Sequence, residues 1–253
     1  MRNGFVRKAL GYALAIAIIV AGWQLTALAV GNPVLPGPFD AFPMVGTYFG
    51  DLWPAFLISL YRVVAAMLIG TALAIPLGLL CGRSPRVDAV FAPVLYFIYP
   101  LPKVVLLPVL VVLMGLGDAP KIALIALTIF FQVLVTVRDA AKSVPEESVM
   151  SMRSLGAGRL DIYRHVIVPA TLPELFTALR ISSGTAVAIL FFAESLAGST
   201  GLGYFIVDAW ALLAYPKMFA GIIAMAFLGI ALYEIFELLE RRMTRWRSAQ
   251  ARG

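Results

Sequence analysis

The residues of this chain that could do chemistry are few, and most stand alone. His165 and Cys81 each occur once, so they form no metal cluster and no internal disulfide. There is no defensible Ser/His/Asp set. No phosphate-binding glycine loop is followed by Lys and Ser/Thr, so ATP hydrolysis by that route is excluded. What remains is a group of ionisable side chains inside apolar runs: Arg62, Lys103, Arg180 and Glu194. A charge near a bilayer centre costs at least about 2.5–3.5 kcal/mol on insertion scales, so each must face protein or water. Arg62 falls about 9 Å past Phe56 at a helical rise of 1.5 Å per residue. Glu194 lies near the end of its own run, at a similar or shallower depth. The two are expected to pair between helices, or else to be solvated separately. Lys103 follows Pro100-Leu101-Pro102, where it can hold carbonyls freed at a kink or attract an anionic solute. Lys103, Arg62 and Glu194 are therefore candidates for a translocation pathway. No catalytic residue, metal ligand or cofactor is expected on the chain.

The longest polar stretch suggests binding rather than reaction. Residues 145–173, PEESVMSMRSLGAGRLDIYRHVIVPATLP, lie between the apolar runs Ile122–Val137 and Leu175–Leu196. A plain turn between helices takes about 2–8 residues, so this one needs a further reason. Val149, Met152 and Leu155 recur at helical spacing. Gly156-Ala157-Gly158 breaks the pattern, and Ile162, Tyr163, Val166 and Ile167 resume it. Pro145 suits a first helical turn, and Glu146 and Glu147 suit a helix N-terminus. The spacing predicts two short amphipathic helices, with Val149, Met152 and Leu155 forming a docking face. The alternatives are a linker along the membrane surface, or a face that packs on the chain's own spans.

These groups need elements to position them. The chain is 61% hydrophobic and 13% charged, with a mean hydropathy of +0.93, which marks an integral membrane protein. Long, nearly uncharged runs exclude a β-barrel, whose strands alternate over about ten residues. The net charge of +6 does not imply nucleic acid, because the basic residues gather at the ends of the runs. Ala9–Val30 exceeds the roughly 7–15 residues of a signal core, and about 20 residues cross a bilayer core of about 30 Å, so it reads as an uncleaved first span. Gly31–Trp53 reads as an outer loop in which Phe39–Trp53 can lie as an interfacial helix. Phe56–Cys81 is the second span and Val87–Met114 the third, broken at Pro100–Lys103. Ile122–Val137, Leu175–Leu196 and Met218–Leu239 complete six. Gly198–Gly203 interrupts the chain after the fifth, and Tyr204–Leu213 is too short to cross. The expected fold is an all-α polytopic membrane helix bundle. Its parts are an N-terminal span (1–30), an outer loop (31–55), a five-span core (56–240) holding the loop 145–173, and a basic tail (241–253). With the N-terminus inside, fifteen Lys and Arg fall on inner segments and only Lys121 and Lys217 on outer ones. That asymmetry predicts both termini and the polar loop on the cytoplasmic side.

Taken in order, these residues resemble the permease subunits of ABC importers. Gly156, Ala157 and Pro169, with Val166 and Val168, are similar to the family's "EAA" cytoplasmic loop, although its Glu-Ala-Ala positions read Met150, Ser151 and Met152 here. Leu35-Pro36-Gly37-Pro38, Ser59–Arg62, Tyr99–Lys103 with Gly115-Leu116-Gly117, and Ala193-Glu194 before Gly201–Tyr204 look like further landmarks. The resemblance covers most of residues 33–240 and looks closest to the branch that imports nitrate, sulfonates and taurine. It implies a type I importer permease fold and a pathway for a small anionic solute, formed by two copies as a homodimer. It also implies ATP-binding cassette ATPase subunits that carry ATP and Mg, an extracytoplasmic solute-binding protein, and a place in the cell inner membrane. Coupling to the ATPase would then run through Glu147, Val149, Met152, Leu155, Gly156, Ala157 and Pro169. On the residues alone, an ion-gradient-driven transporter or a non-transporting scaffold stays open. No internal repeat of the kind common in secondary transporters is visible, and a scaffold has no use for the broken third span or Lys103.

Overall fold

Inside a bilayer each backbone N–H and C=O must be paired within its own segment, so long uncharged runs fold as helices. The computed structural model describes residues 2–244. Its helices are α1 (Arg2–Val30), α2 (Pro38–Thr47), α3 (Phe49–Arg83), α4 (Pro85–Ile98), α5 (Leu107–Met114), α6 (Asp118–Lys142), α7 (Glu146–Ser154), α8 (Arg159–Ile162), α9 (Val168–Ala197), α10 (Leu202–Ala211) and α11 (Tyr215–Met243). Among the described residues, five helices are long and apolar enough to cross a membrane; α4 and α5, bent by 88° at their break, supply a sixth if taken as one span. Arg245, Arg247 and Arg252 of the basic tail lie outside the described residues.

The core is built on α6. In its most apolar window 61% of residues are buried, against 6% for α1, so α6 is the centre and α1 the periphery. The helix packed most extensively on α6 is α3, and the reason is a stripe of small residues. Ala66, Gly70, Ala74, Gly78 and Gly82 recur every four positions, so all fall on one face. A Cβ added at Gly70 would come 2.6 Å from the Ala126 carbonyl oxygen, and one at Gly78 would come 2.9 Å from Val137 Cβ. Apolar burial gives helices no advantage over lipid, so close backbone approach along small residues is what holds them. On α9, which also packs on α6, Ala178, Ser182 and Ala186 are buried at the same spacing.

Three expected boundaries shift. The outer interfacial helix stops at Thr47, and Trp53 belongs to α3, where it stacks between Phe49 and Phe56. The third span does not kink but turns a corner: Pro100 and Pro102 remove two backbone donors, and Pro102 holds an extended ψ of 98°. The second short helix of the polar loop is not separate from the fifth span. Helical turns run from Arg159 to Ala197, passing a π turn at Tyr163–Ile167. That widened turn stands just ahead of Pro169, whose ring cannot sit against the carbonyl four residues back in a straight helix.

The fourth turn of α3, the first turn of α6 and the last turns of α9 meet at one end of the bundle, through Arg62, Asp118 and Glu194. Arg83, Glu146, Asp88 and Arg138 gather at the other end. The helix α1 is tied down near its C-terminus. There Trp23 donates to the Pro36 carbonyl at 2.9 Å and stacks on Phe219.

Candidate transport machinery

At the first end, Arg62 and Glu194 form an ion pair of 2.7 Å with side chains 2% and 0% exposed. All five guanidinium N–H groups of Arg62 are used. Nε and Nη2 donate to Asp118 Oδ1 at 2.8 and 2.6 Å, and Nη1 donates to Glu194 Oε1 and to the Thr200 carbonyl. A second Nη2 bond reaches Thr200 Oγ1. Glu194 is equally occupied. It accepts from the Ser59 hydroxyl, which lies 2.9 and 2.8 Å from its two oxygens, and from the Gly203 N–H at 2.8 Å. Ser59 Oγ in turn accepts the Leu202 N–H at 2.8 Å. Two of the orphan donors at the N-terminus of α10 are thus satisfied from inside the bundle. Gly201 carries φ +100°, and a Cβ there would run into the Glu194 carboxylate, so the turn accepts only glycine.

The donors and acceptors of this cluster are spent on one another. Its capacity is mechanical: it ties α3, the start of α6, the end of α9, the 198–201 turn and α10 together. Removing one partner of such a buried pair costs about 3–5 kcal/mol. Arg62 and Glu194, expected as pathway residues, are buried inside the subunit in this structure. The side open to solvent is Asp118, 46% exposed. Sequence reasoning missed Ser59, Asp118 and Thr200 as members. Ser59 was within reach, lying three residues before Arg62 on the same helical face; nothing in one dimension points to a loop carbonyl.

At the corner of the broken span, Lys103 Nζ donates to the Tyr99 carbonyl and lies 5.3 and 5.4 Å from the ring centroids of Tyr99 and Phe131. A cation capping the last turn of α4 offsets its unpaired carbonyls. A cavity of about 620 Å³ opens inside the bend, lined by Leu95, Tyr96, Tyr99, Pro100 and Arg138 among others. Lys103 does not line it. Its charged group is Arg138, which pairs with Asp88. Arg180 pairs with Glu240 at 3.3 Å, joining α9 to α11.

The docking loop is where the sequence expectation needs correction. Val149 is 1% exposed and Met152 is half-buried against the core, so the face they share packs largely on the chain's own bundle. They fix α7 to its own subunit because their helical face meets the bundle end. Leu155, the third member, is 83% exposed, and the apolar residues that accompany it outward are Met150 and Leu160. Glu147 is exposed and Ala157 and Pro169 are half-buried. Gly156 has φ +82°. Its N–H bonds the Arg153 carbonyl and the Ala157 N–H bonds Met152, a Schellman closure that requires the left-handed residue.

Comparison with known proteins accords with this geometry. Residues 74–245 match the family model described as "Binding-protein-dependent transport system inner membrane component". A probable ABC transporter permease protein of Brucella melitensis biotype 1 is 32% identical over 92% of this chain and 95% of its own length. The taurine transport system permease protein TauC of Escherichia coli K12 is 32% identical over 90% of this chain and 86% of its own. Among solved structures, an inward-facing methionine ABC transporter, MetNI, superposes with a TM-score of 0.66 at 16% identity, covering 78% of this chain and 98% of that one. The chain belongs to the family of binding-protein-dependent transport system inner membrane components, as a permease subunit.

Proposed function

We propose that two copies of this chain form the pathway of an ATP-driven importer for a small anionic solute, and that ATPase subunits grip the 146–162 segment. The observation that carries this reading is a lever. Helical turns run without a break from Arg159 to Ala197, 39 residues, or about 58 Å at 1.5 Å per residue. One end carries the exposed Leu160, and the preceding α7 and its closing turn carry the exposed Met150 and Leu155. The other end carries Glu194, locked to Arg62. Buried Val149, Ile162 and Ile167 leave the loop no freedom to slide. A push on it therefore moves α9 as a body and strains the latch at the far end, the kind of rocking that alternating access needs.

ATP and Mg belong to the ATPase in this scheme, and this chain holds no cofactor. The loop lies on the cytoplasmic side with both termini, and the Asp118 end faces outward, where a solute-binding protein delivers its load. Glu147 and the Gly156 turn flank the gripped surface, while Val149, Met152, Ala157 and Pro169 mount it. Taurine, the solute named for one relative, carries a sulfonate, which agrees with an anionic headgroup. Lys103, beside the corner of the broken span, is the cation placed to meet such a group if its bond to Tyr99 is exchanged. Leu155→Asp together with Leu160→Asp tests the scheme. Solute-stimulated ATP hydrolysis should vanish while the chain still inserts and the bundle still folds. Full coupling in that variant would remove the gripped surface from the account.

A further inference from the structure

A second cavity, of about 560 Å³, lies at the bundle end opposite the Arg62 latch, between the end of α3, the start of α4, and α7 with α8. Four arginines line it: Arg83, Arg86, Arg153 and Arg159. No carboxylate does. The acids on these elements are Glu146, Glu147, Asp88 and Asp161, none of them in the lining, and Glu146 offsets one of the four arginines. Glu146 pairs with Arg83 at 2.7 Å, Asp88 is held by Arg138 and Lys142, and Asp161 accepts the Gly158 N–H at 3.0 Å. Among the described residues, Arg86, Arg153 and Arg159 thus line the pocket with no ion pair of their own. Gathering like charges around one cavity is unfavourable unless an anion joins them.

We propose that this pocket binds the phosphate of an anionic membrane phospholipid. The remaining lining favours a lipid over a free anion. Leu80, Val149, Ile162 and Ile167 form an apolar wall, and Leu80 is 46% exposed on the last turns of α3, where an acyl chain can follow the helix. A free phosphate has no use for that wall. The apolar residues that leave the loop for a protein partner, Met150, Leu155 and Leu160, are not part of the lining, so the pocket and the gripped face share no residue although both draw on the 146–162 segment. Basic pockets between spans at the membrane surface suit anionic headgroups for this reason. A lipid seated here would bridge α3 and α4 to the loop and stiffen its mounting. The inference stands apart from the importer reading, because it rests on the charge and shape of this cavity alone.

The test uses the full permease, delipidated in detergent, then exposed to phosphatidylglycerol or phosphatidylcholine and weighed by native mass spectrometry. The wild-type chain should retain phosphatidylglycerol selectively. Arg86→Gln, Arg153→Gln and Arg159→Gln combined should weaken that retention by roughly a hundredfold, at about a factor of five per arginine. Arg242→Gln, an exposed arginine outside the pocket, should leave it unchanged. If the triple variant fails to insert, Arg159→Gln alone, at an exposed helix start, should still give the fivefold loss. Equal retention by wild type and variants would overturn the proposal, since the lipid would then be annular. Retention of phosphatidylglycerol in the presence of millimolar inorganic phosphate would support it. Equal binding of inorganic phosphate and lipid would assign the pocket to free anions and overturn it. So would a triple variant that keeps its lipid but no longer co-purifies with an ATPase subunit.

Discussion

Arg62 and Glu194 give the sharpest quantitative expectation. Arg62→Met strands a carboxylate that is 0% exposed and keeps only Ser59 and the Gly203 N–H as partners. The loss should be about 3–5 kcal/mol. Glu194→Gln preserves shape and leaves Arg62 with two bonds to the half-exposed Asp118, so it should cost less, about 1.5–3 kcal/mol for a bond to a charged group. Once Glu194 is neutral, Arg62→Met no longer strands a buried charge. The double variant should then fall short of the sum by about 2 kcal/mol or more. An ordinary neutral hydrogen bond between membrane helices averages only about 0.6 kcal/mol, so the two cases are separable. The assay is unfolding of the full chain by SDS in mixed micelles, with all four members of the cycle. A coupling at or below the neutral value would refute the argument that this pair locks the bundle end.

Three further outcomes follow from the geometry. Gly78→Val should destabilise the same unfolding transition by about 1–3 kcal/mol through overpacking, because its Cβ meets Val137 at 2.9 Å, whereas Gly184→Ala, with nothing within 4 Å, should be silent. Gly156→Ala meets no atom within 4 Å but must adopt φ +82°, at a cost of about 1–2 kcal/mol; limited proteolysis should show the loop opening while the spans stay protected. Lys103→Met should raise the KM for an anionic solute in proteoliposomes, and an unchanged solute dependence would leave Lys103 as a structural cap on α4 alone.

Much of the bundle was legible because its signals are local. Uncharged length marks the spans, and Pro100 and Pro102 mark the broken one. The 88° corner was not, since prolines forbid a straight helix without saying how far it turns. The tight face of α3 was written in Gly70, Ala74 and Gly78, a pattern whose meaning depends on a partner helix the sequence does not name. Arg62 and Glu194 could be paired by depth, but Thr200 and Ser59 joined them only through the fold of the 198–203 turn. Val149 and Met152 show the opposite limit. Their spacing identifies a face correctly, yet an apolar face reads the same whether it meets a partner or its own subunit. Only the position of the bundle end decides that, and it turns Leu155 outward instead.

The central claim is that the loop beside Leu155 is held by an ATPase on the cytoplasmic side and drives α9 from there. Leu155→Cys, made in a chain whose buried Cys81 is replaced by Ala, tests it directly in native membranes. A short bifunctional thiol reagent should link Cys at that position to an ATPase subunit, and an impermeant maleimide added outside intact cells should leave it unlabelled. Labelling from outside, with no ATPase adduct, would contradict the account.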